Sequence, residues 1–180
     1  MMYEKRQKEA AARLGELDAA MALITADADV RYLTGMPYGS LLFLFPSGKS
    51  ILLPWDELLA SKMASAGEII PYTDYGRNLE RALNSIVKRE GLESGASIEV
   101  PSDTGHLRLG RLREVLNGFT ILCRNEGLSS YLQRRRMVKD EEELGILRKA
   151  CALTDELIDE IEAGVKSGAL KTEAEVALCL

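Results

Sequence analysis

The sequence predicts an α/β domain, in which helices cover both faces of a mixed β-sheet, followed by the first helices of a second domain. Short apolar runs alternate with amphipathic helical segments over most of the chain. Two of these runs flank a Pro/Gly turn, which is typical of an antiparallel hairpin. A capped helix with a long apolar stripe then begins near residue 140. Alternation of this kind favours a layered α/β fold.

The N-terminal part of the chain predicts a helix, a buried strand and a second helix. Met2 to about Glu16 has one apolar face at helical spacing. Asp18 to Thr25 is an apolar run bounded by acidic residues, as expected for a buried strand. A short helix should follow, with Asp27 or Asp29 as its N-cap and Gly35 at its end.

A hairpin is the clearest element of the sequence. Residues 41–45 and 50–53 are almost entirely apolar and flank the turn Pro46 to Lys49. Strands that are apolar on both faces indicate a sheet covered on both sides. Beyond the hairpin, Trp55 to Ala66 predicts a helix and Glu68 to Tyr72 a further strand.

Two more strand–helix alternations complete the predicted domain. Apolar residues at helical spacing over 79–87 predict a helix that ends at Gly91. Ala96 to Val100 predicts a short strand, after which Ser102 could cap another helix. Phe119 to Leu122 predicts the last strand of the sheet.

The sequence changes character after residue 128. Arg134 to Arg136 lie in a basic stretch without apolar periodicity, which we interpret as a salt-bridged linker between domains. Asp140 with Glu143 forms a capping box ahead of a long amphipathic helix, and Thr172 with Glu175 forms a second one. We therefore expect a domain over 1–128, a linker over 129–139, and over 140–180 the start of a second domain that breaks off inside a helix.

Composition argues against several classes of function. The 180 residues carry a net charge of −5, which gives no general reason to bind nucleic acid. No apolar run approaches the roughly 18 residues of a membrane span. The charged N-terminus lacks the apolar core of a signal peptide, so we expect a cytoplasmic protein. Cys123, Cys151 and Cys179 are widely separated, and we interpret them as small buried residues.

No catalytic or metal-ligating residue can be assigned from the sequence. His106 is the only histidine, and no acidic residue stands at ligand spacing beside it. Gly48-Lys49-Ser50 lies in the predicted hairpin turn, which argues against a phosphate-binding loop. The irregular segment Met36-Pro37-Tyr38 is the one candidate contact loop, although a packed loop tyrosine is the alternative.

Four stretches in order resemble motifs of the creatinase/prolidase/aminopeptidase P family. They are Asp18 to Thr25 followed by Asp29 to Gly35, similar to D-A-x-L-I-T … N-V-x-Y-L-T-G; Ser97 to Glu99, similar to I-G-x-E; Arg136 to Leu144 with Arg148 to Ala150, similar to R-x-I-K-[ST]-x-x-E-[IL] … R-x-A; and Gly168 with Lys171 to Val176, similar to G-x-T-E-x-E-[VL]. The chain departs from the family in having Asp29 where asparagine is commoner and no glycine in the second motif.

The resemblance implies the non-catalytic N-terminal domain of a metal-dependent Xaa-Pro peptidase, followed by the start of its "pita-bread" catalytic domain. It implies two divalent metal ions (Mn, Co or Zn) held by residues beyond Leu180, with none held here, so we expect this chain alone to be inactive. It also implies a homodimer that acts on proline-containing peptides, in which Met36, Pro37 and Tyr38 are candidates for the substrate rim. No nucleic-acid or membrane partner is implied.

Two other functions are compatible with the sequence. The domain could be a stand-alone module for self-association or protein binding, or it could precede a creatinase-like amidinohydrolase instead of a peptidase. The sequence contains no specificity residue that separates aminopeptidase, dipeptidase and creatinase-like activity.

Overall fold

The computed structural model describes residues 2–178 and divides the chain into two compact units, Met1–Met137 and Val138–Leu180. The first unit contains α1 (Met2–Glu16), β1 (Met21–Ile24), α2 (Asp27–Thr34), β2 (Ser40–Leu44), β3 (Ser50–Pro54), α3 (Glu57–Met63), β4 (Glu68–Ile69), a 3-10 turn (Tyr72–Tyr75), α4 (Leu79–Arg89), β5 (Ser97–Val100), α5 (His106–Val115), β6 (Thr120–Cys123) and α6 (Leu128–Met137). The second contains α7 (Glu141–Ser167) and α8 (Glu173–Ala177).

The sheet is mixed, as the sequence predicts, and has the strand order β4-β3-β2-β1-β5-β6. Strand β2 runs antiparallel to both of its neighbours, whereas the β1–β5, β5–β6 and β3–β4 pairs are parallel. It follows that the carboxyl ends of β1, β3, β4, β5 and β6 all meet at one edge of the sheet. We call this edge the carboxyl edge.

Apolar layers cover both faces of the sheet, which confirms the expectation drawn from the hairpin. Successive strand residues point to opposite faces. Accordingly, Phe43 packs into a layer with α4 and α5, while Leu42 and Leu44 pack into a layer with α1, α2 and α6. All three side chains are fully buried. The Pro/Gly turn of the hairpin is also confirmed, because Gly48 adopts a left-handed conformation with φ of 87°.

A buried polar cluster attaches α1 to the sheet. The Gln7 side-chain amide donates hydrogen bonds to the carbonyls of Leu33, at 2.8 Å, and Ser65, at 2.7 Å. Its carbonyl oxygen accepts one from the Ser50 hydroxyl, at 2.8 Å, which in turn accepts one from the Gly67 amide. Buried polar groups are stable when they are paired in this way. Three separate segments are thereby held to one helix.

Two predicted helix caps are wrong. The N-cap of α2 is Ala26, which offers no side-chain cap, and Asp27 and Asp29 lie inside the helix. The N-cap of α5 is Gly105 and not Ser102, so the helix starts three residues later than a serine cap would place it. Cap propensity misplaces the start of α2 because Asp27 binds the Gly39 amide and Asp29 binds Arg136.

Most of the segment predicted as a linker, 129–139, forms helix α6 instead. Leu128 and Leu132 are buried one helical turn apart, and this pair is too short a pattern to show as periodicity in the sequence. The strand predicted over 68–72 is only two residues long, Glu68–Ile69. Helix α3 is also shorter than predicted, since it ends at Met63 and residues 64–66 are not helical.

The second unit confirms both predicted capping boxes. The Asp140 carboxylate accepts from the Glu143 amide at 2.9 Å, and the Thr172 hydroxyl accepts from the Glu175 amide at 3.2 Å. Neither α7 nor α8 contains a buried residue. Cys151 on α7 is exposed and Cys123 half-buried, which corrects the prediction of buried cysteines, and Cys179 lies outside the described residues.

Candidate functional site

The carboxyl edge collects the irregular segments of the first unit. The segments after β1, β3 and β5 lie there, together with the loop that leads into β2. Strands β1 and β5 are parallel neighbours, yet the chain leaves them toward opposite faces, into α2 and α5 respectively. In open α/β sheets a ligand crevice forms where neighbouring strands diverge in this way. The carboxyl edge is therefore where a functional site is expected.

The predicted contact loop lies at this edge. Its first residue, Met36, has a fully buried side chain in the layer beneath α2, and its amide donates to the Thr34 hydroxyl at 3.2 Å. Pro37 is half-buried, and Tyr38 is 52% exposed. Only Pro37 and Tyr38 can offer a surface to another molecule, and the rim role proposed for the loop remains a prediction.

Two glycines hold the loop in a defined shape. Gly35 has φ of 80°, and a Cβ there would lie 3.0 Å from the Tyr3 ring. Gly39 has φ of 60°; its amide donates to the Asp27 carboxylate at 2.9 Å, and its carbonyl accepts from the Trp55 amide at 2.8 Å. Left-handed backbone of this kind favours glycine. The loop is thus anchored at both ends, with Tyr38 between the anchors.

An aromatic and cationic cluster lies beside the loop. Trp55, directly after β3, is half-exposed, and the Arg77 guanidinium lies 4.0 Å from the centre of its indole ring. The Tyr72 ring packs edge-on against the same indole at 6.3 Å. Burial raises the pKa of Tyr72, with the charge of Glu80 adding to the effect and that of Arg108 opposing it.

Two clefts open at the carboxyl edge and share three residues, Thr25, Leu79 and Arg108. The smaller, of about 230 Å³, is lined by Gly39 and Ser40, which follow the contact loop, and by Trp55. The larger, of about 510 Å³, lies between the end of β1 and the start of α5. The larger cleft falls within the size range of small-molecule sites in proteins.

Helix α2, which leads into the contact loop, is attached to α6 by a buried ion pair. The Arg136 Nε lies 2.8 Å from the Asp29 Oδ1, and Asp29 is buried. Burial raises the pKa of Asp29, an effect that the charge and hydrogen bond of Arg136 oppose. Arg134 pairs with Glu126 and Arg135 with Glu9, so the three arginines bind within the first unit.

His106 is an exposed residue in the first turn of α5, which agrees with its prediction as a surface residue. Within residues 2–178, no three His, Cys, Asp or Glu side chains come together in a group that could hold a metal ion. Nor does any helix in that range have the length and apolarity needed to cross a membrane. The edge offers binding surfaces: an exposed tyrosine, a stacked tryptophan and charged cleft walls.

Sequence reasoning missed Trp55, Arg77 and Arg108 as residues of this edge. The position of Trp55, immediately after a hairpin strand, could have placed it there, because the carboxyl ends of parallel strands share one edge. Arg77 and Arg108 meet the edge only through the tertiary fold, and no local pattern marks them.

The family profile of the Creatinase/Prolidase N-terminal domain matches residues 6–122. Comparison with curated proteins by sequence gave no match. Among solved structures, dipeptidase PepE from Mycobacterium ulcerans is 28% identical with a TM-score of 0.66, over 98% of this chain and 47% of that one. The prolidase from Pyrococcus horikoshii has the same fold, with 16% identity and a TM-score of 0.70, over 97% of this chain and 46% of its own.

The solved structure of an isolated N-terminal domain also matches this chain. The N-terminal domain of the cytoplasmic peptidase PepQ from Mycobacterium tuberculosis is 20% identical with a TM-score of 0.56, covering 71% of this chain and 98% of that one. By contrast, the chain spans about half the length of the dipeptidase and the prolidase.

Proposed function

The chain belongs to the creatinase/prolidase N-terminal domain family, and from this membership we propose that it is the non-catalytic N-terminal domain of a metal-dependent Xaa-Pro peptidase. The family match over residues 6–122 carries the proposal. The dipeptidase and prolidase relatives, whose fold extends over nearly the whole of this chain, support it. Hydrolysis of X–Pro bonds would then belong to the other half of the protein.

The expected chemistry is that of a metal site outside this chain. Two divalent ions, Mn, Co or Zn, would activate a water molecule and polarise the scissile carbonyl in the catalytic domain. Selection of proline at the scissile bond is a matter of pocket shape, because a tertiary amide has no N–H to donate. The role proposed for the present chain is to shape access to that site and to associate with a second copy.

The contact loop supports the proposed role in substrate access. Its two left-handed glycines and three hydrogen bonds fix the backbone on either side of Tyr38 at the carboxyl edge. A backbone that is already ordered loses little conformational entropy when its side chain contacts another molecule. Tyr38 and Pro37 would thus border the entry of a neighbouring catalytic site. We propose a cytoplasmic location, in keeping with the cytoplasmic PepQ relative.

A substitution in the longer protein tests this role. Tyr38→Ala should raise KM for an Xaa-Pro dipeptide roughly tenfold, because it removes an aromatic contact at the rim. Met63→Ala is the matched control, since Met63 is also 52% exposed but lies at the far end of α3 from the carboxyl edge. Unchanged kinetics for Tyr38→Ala would refute the rim role.

The proposed self-association is tested separately by sedimentation of the 180-residue chain. A dimer whose dissociation constant lies in the micromolar range or below would support a role of this domain in assembly. A strictly monomeric chain at high concentration would contradict it and leave the role in substrate access standing.

A further inference from the structure

The larger cleft at the carboxyl edge has the composition of a ligand site that the proposed function does not use. Three buried leucines, Leu23, Leu79 and Leu112, contribute to its apolar lining. Asp103, Thr104, His106 and Arg108 supply polar groups at its wall. An apolar lining with a few placed polar groups is typical of small-molecule sites.

The two charged residues of opposite sign at this cleft are available to a ligand. Neither Asp103 nor Arg108 forms an ion pair or a side-chain hydrogen bond within residues 2–178, although both line the same cleft. Arg108 also lines the smaller cleft, together with Trp55 and Tyr72, whereas Asp103 lines only the larger of these two clefts. The positive charge therefore lies at the side of the larger cleft that adjoins the smaller one.

Two other clefts of the first unit lack this combination. The smaller cleft at the carboxyl edge contains Arg108 and Asp27, but Asp27 is already bound to the Gly39 amide. A cleft at the opposite edge has Asp18 as its one charged lining residue. The larger cleft is thus distinguished by an uncommitted carboxylate and an uncommitted guanidinium around an apolar lining.

From this arrangement we infer that the cleft binds a small zwitterion with an apolar side chain, either a free amino acid or a short peptide. Arg108 would bind the carboxylate, and Asp103 the ammonium group, through charge-assisted hydrogen bonds. The buried leucines would receive the side chain. The N-terminal turn of α5 reinforces the carboxylate contact, because its N-cap Gly105 offers no side-chain acceptor for the free amides.

This inference is independent of the proposed catalytic partner, since every residue it uses lies in the present chain. The test is an NMR titration of the ¹⁵N-labelled 180-residue chain with four probes. L-leucine and L-leucylglycine carry both charges, N-acetyl-L-leucylglycine lacks the ammonium group, and L-leucylglycinamide lacks the carboxylate. Tighter binding of leucine identifies an amino-acid site, and tighter binding of leucylglycine a peptide site.

Either zwitterion should give saturable shifts at the Thr104 and Gly105 amides, and each blocked probe should bind about tenfold more weakly. Arg108→Gln should abolish the preference for a free carboxylate only, and Asp103→Asn the preference for a free ammonium group only. Arg113→Gln is the control, because Arg113 is exposed on the same helix but does not line the cleft.

Three results would overturn the inference. Equal affinity for all four probes would show an apolar cleft without charge recognition. Unchanged preferences in both variants would place the ligand elsewhere. The absence of saturable shifts with zwitterion concentrations on the order of 10 mM would show that the cleft does not hold this class of ligand.

Discussion

At the residue scale, the contacts of Glu99 explain the motif Ser97 to Glu99, which resembles the family's I-G-x-E. This buried β5 residue accepts a hydrogen bond from the Leu128 amide at 3.1 Å and one from the Arg124 Nε at 2.9 Å. Arg124 in turn donates to the Leu17 carbonyl at 2.7 Å. A buried carboxylate is tolerated when it is paired and hydrogen-bonded in this way. Glu99 therefore joins the start of α6 to the sheet and plays no visible part in the carboxyl-edge clefts.

Gly127→Ala tests this junction. A Cβ at Gly127 would overlap the Glu99 Oε1, so we expect the substitution to lower the free energy of unfolding by about 2 kcal/mol. Gly110→Ala is the matched control, because nothing lies within 4 Å of a Cβ at that position of α5. It should raise stability by up to about 1 kcal/mol. Chemical denaturation measures both, and equal effects would contradict the account of Glu99.

The burial of Asp29 beside Arg136 predicts a pH dependence of the unfolding free energy. Burial raises the pKa of Asp29 above its ordinary 3.8, so the native state retains that proton to higher pH than the unfolded chain. The unfolding free energy therefore falls as pH rises from 3.8 through the raised pKa. Asp29→Asn should remove this fall. Arg136→Leu should enlarge it and extend it to higher pH, since the opposing positive charge is lost.

Urea denaturation at several values between about pH 4 and pH 7 measures this contribution as the difference between the native protein and Asp29→Asn. A difference that stays constant over the whole range would show that burial does not perturb Asp29.

At the element scale, an element can be predicted from the sequence when its signal lies in a few neighbouring residues, and not when distant contacts hold it. The hairpin and the capping boxes at Asp140 and Thr172 were predicted, because a few neighbouring residues contain the whole signal. Helix α6 was missed because its stability comes from Leu128 and Leu132 packing on distant elements and from its arginine ion pairs. The cap of α2 was misassigned because Asp29 binds Arg136, far away in sequence.

The cap of α7 can be tested directly. Asp140→Ala removes the side chain that accepts from the Glu143 amide, and we expect a loss of about 1 kcal/mol in the local stability of the first turn. Asp155→Ala, at an exposed position in the middle of the same helix, should leave the first turn unchanged. Amide hydrogen exchange of residues in the first turn distinguishes the two, and equal exchange in both variants would show that the cap contributes nothing.

At the scale of the whole molecule, the sheet order explains why the carboxyl edge carries the candidate site. The location of the site follows from the alternation of strands and helices. The residues that form it do not follow from the sequence, because Trp55, Arg77 and Arg108 lie in three separate segments of the chain. The sequence could therefore predict the fold and the irregular segment at residues 36–38, and could not predict the clefts. The contact role of that segment stays a prediction.

The two units should differ in their resistance to hydrogen exchange. Nearly all residues of β1, β2 and β3 are buried, whereas α7 and α8 contain no buried residue. Amides protected by little apolar burial exchange through local opening. We expect α7 to exchange orders of magnitude faster than β1 in the 180-residue chain. Equal protection would contradict independent stability of the two units.

The most direct test of the central claim is a peptidase assay on the 180-residue chain. The chain is incubated with an Xaa-Pro dipeptide and Mn²⁺, Co²⁺ or Zn²⁺, and released proline is measured beside a control that contains metal alone. We expect proline release equal to that control with each metal, because we assign catalysis to a domain outside this chain. Saturable, metal-dependent release above the control would contradict it.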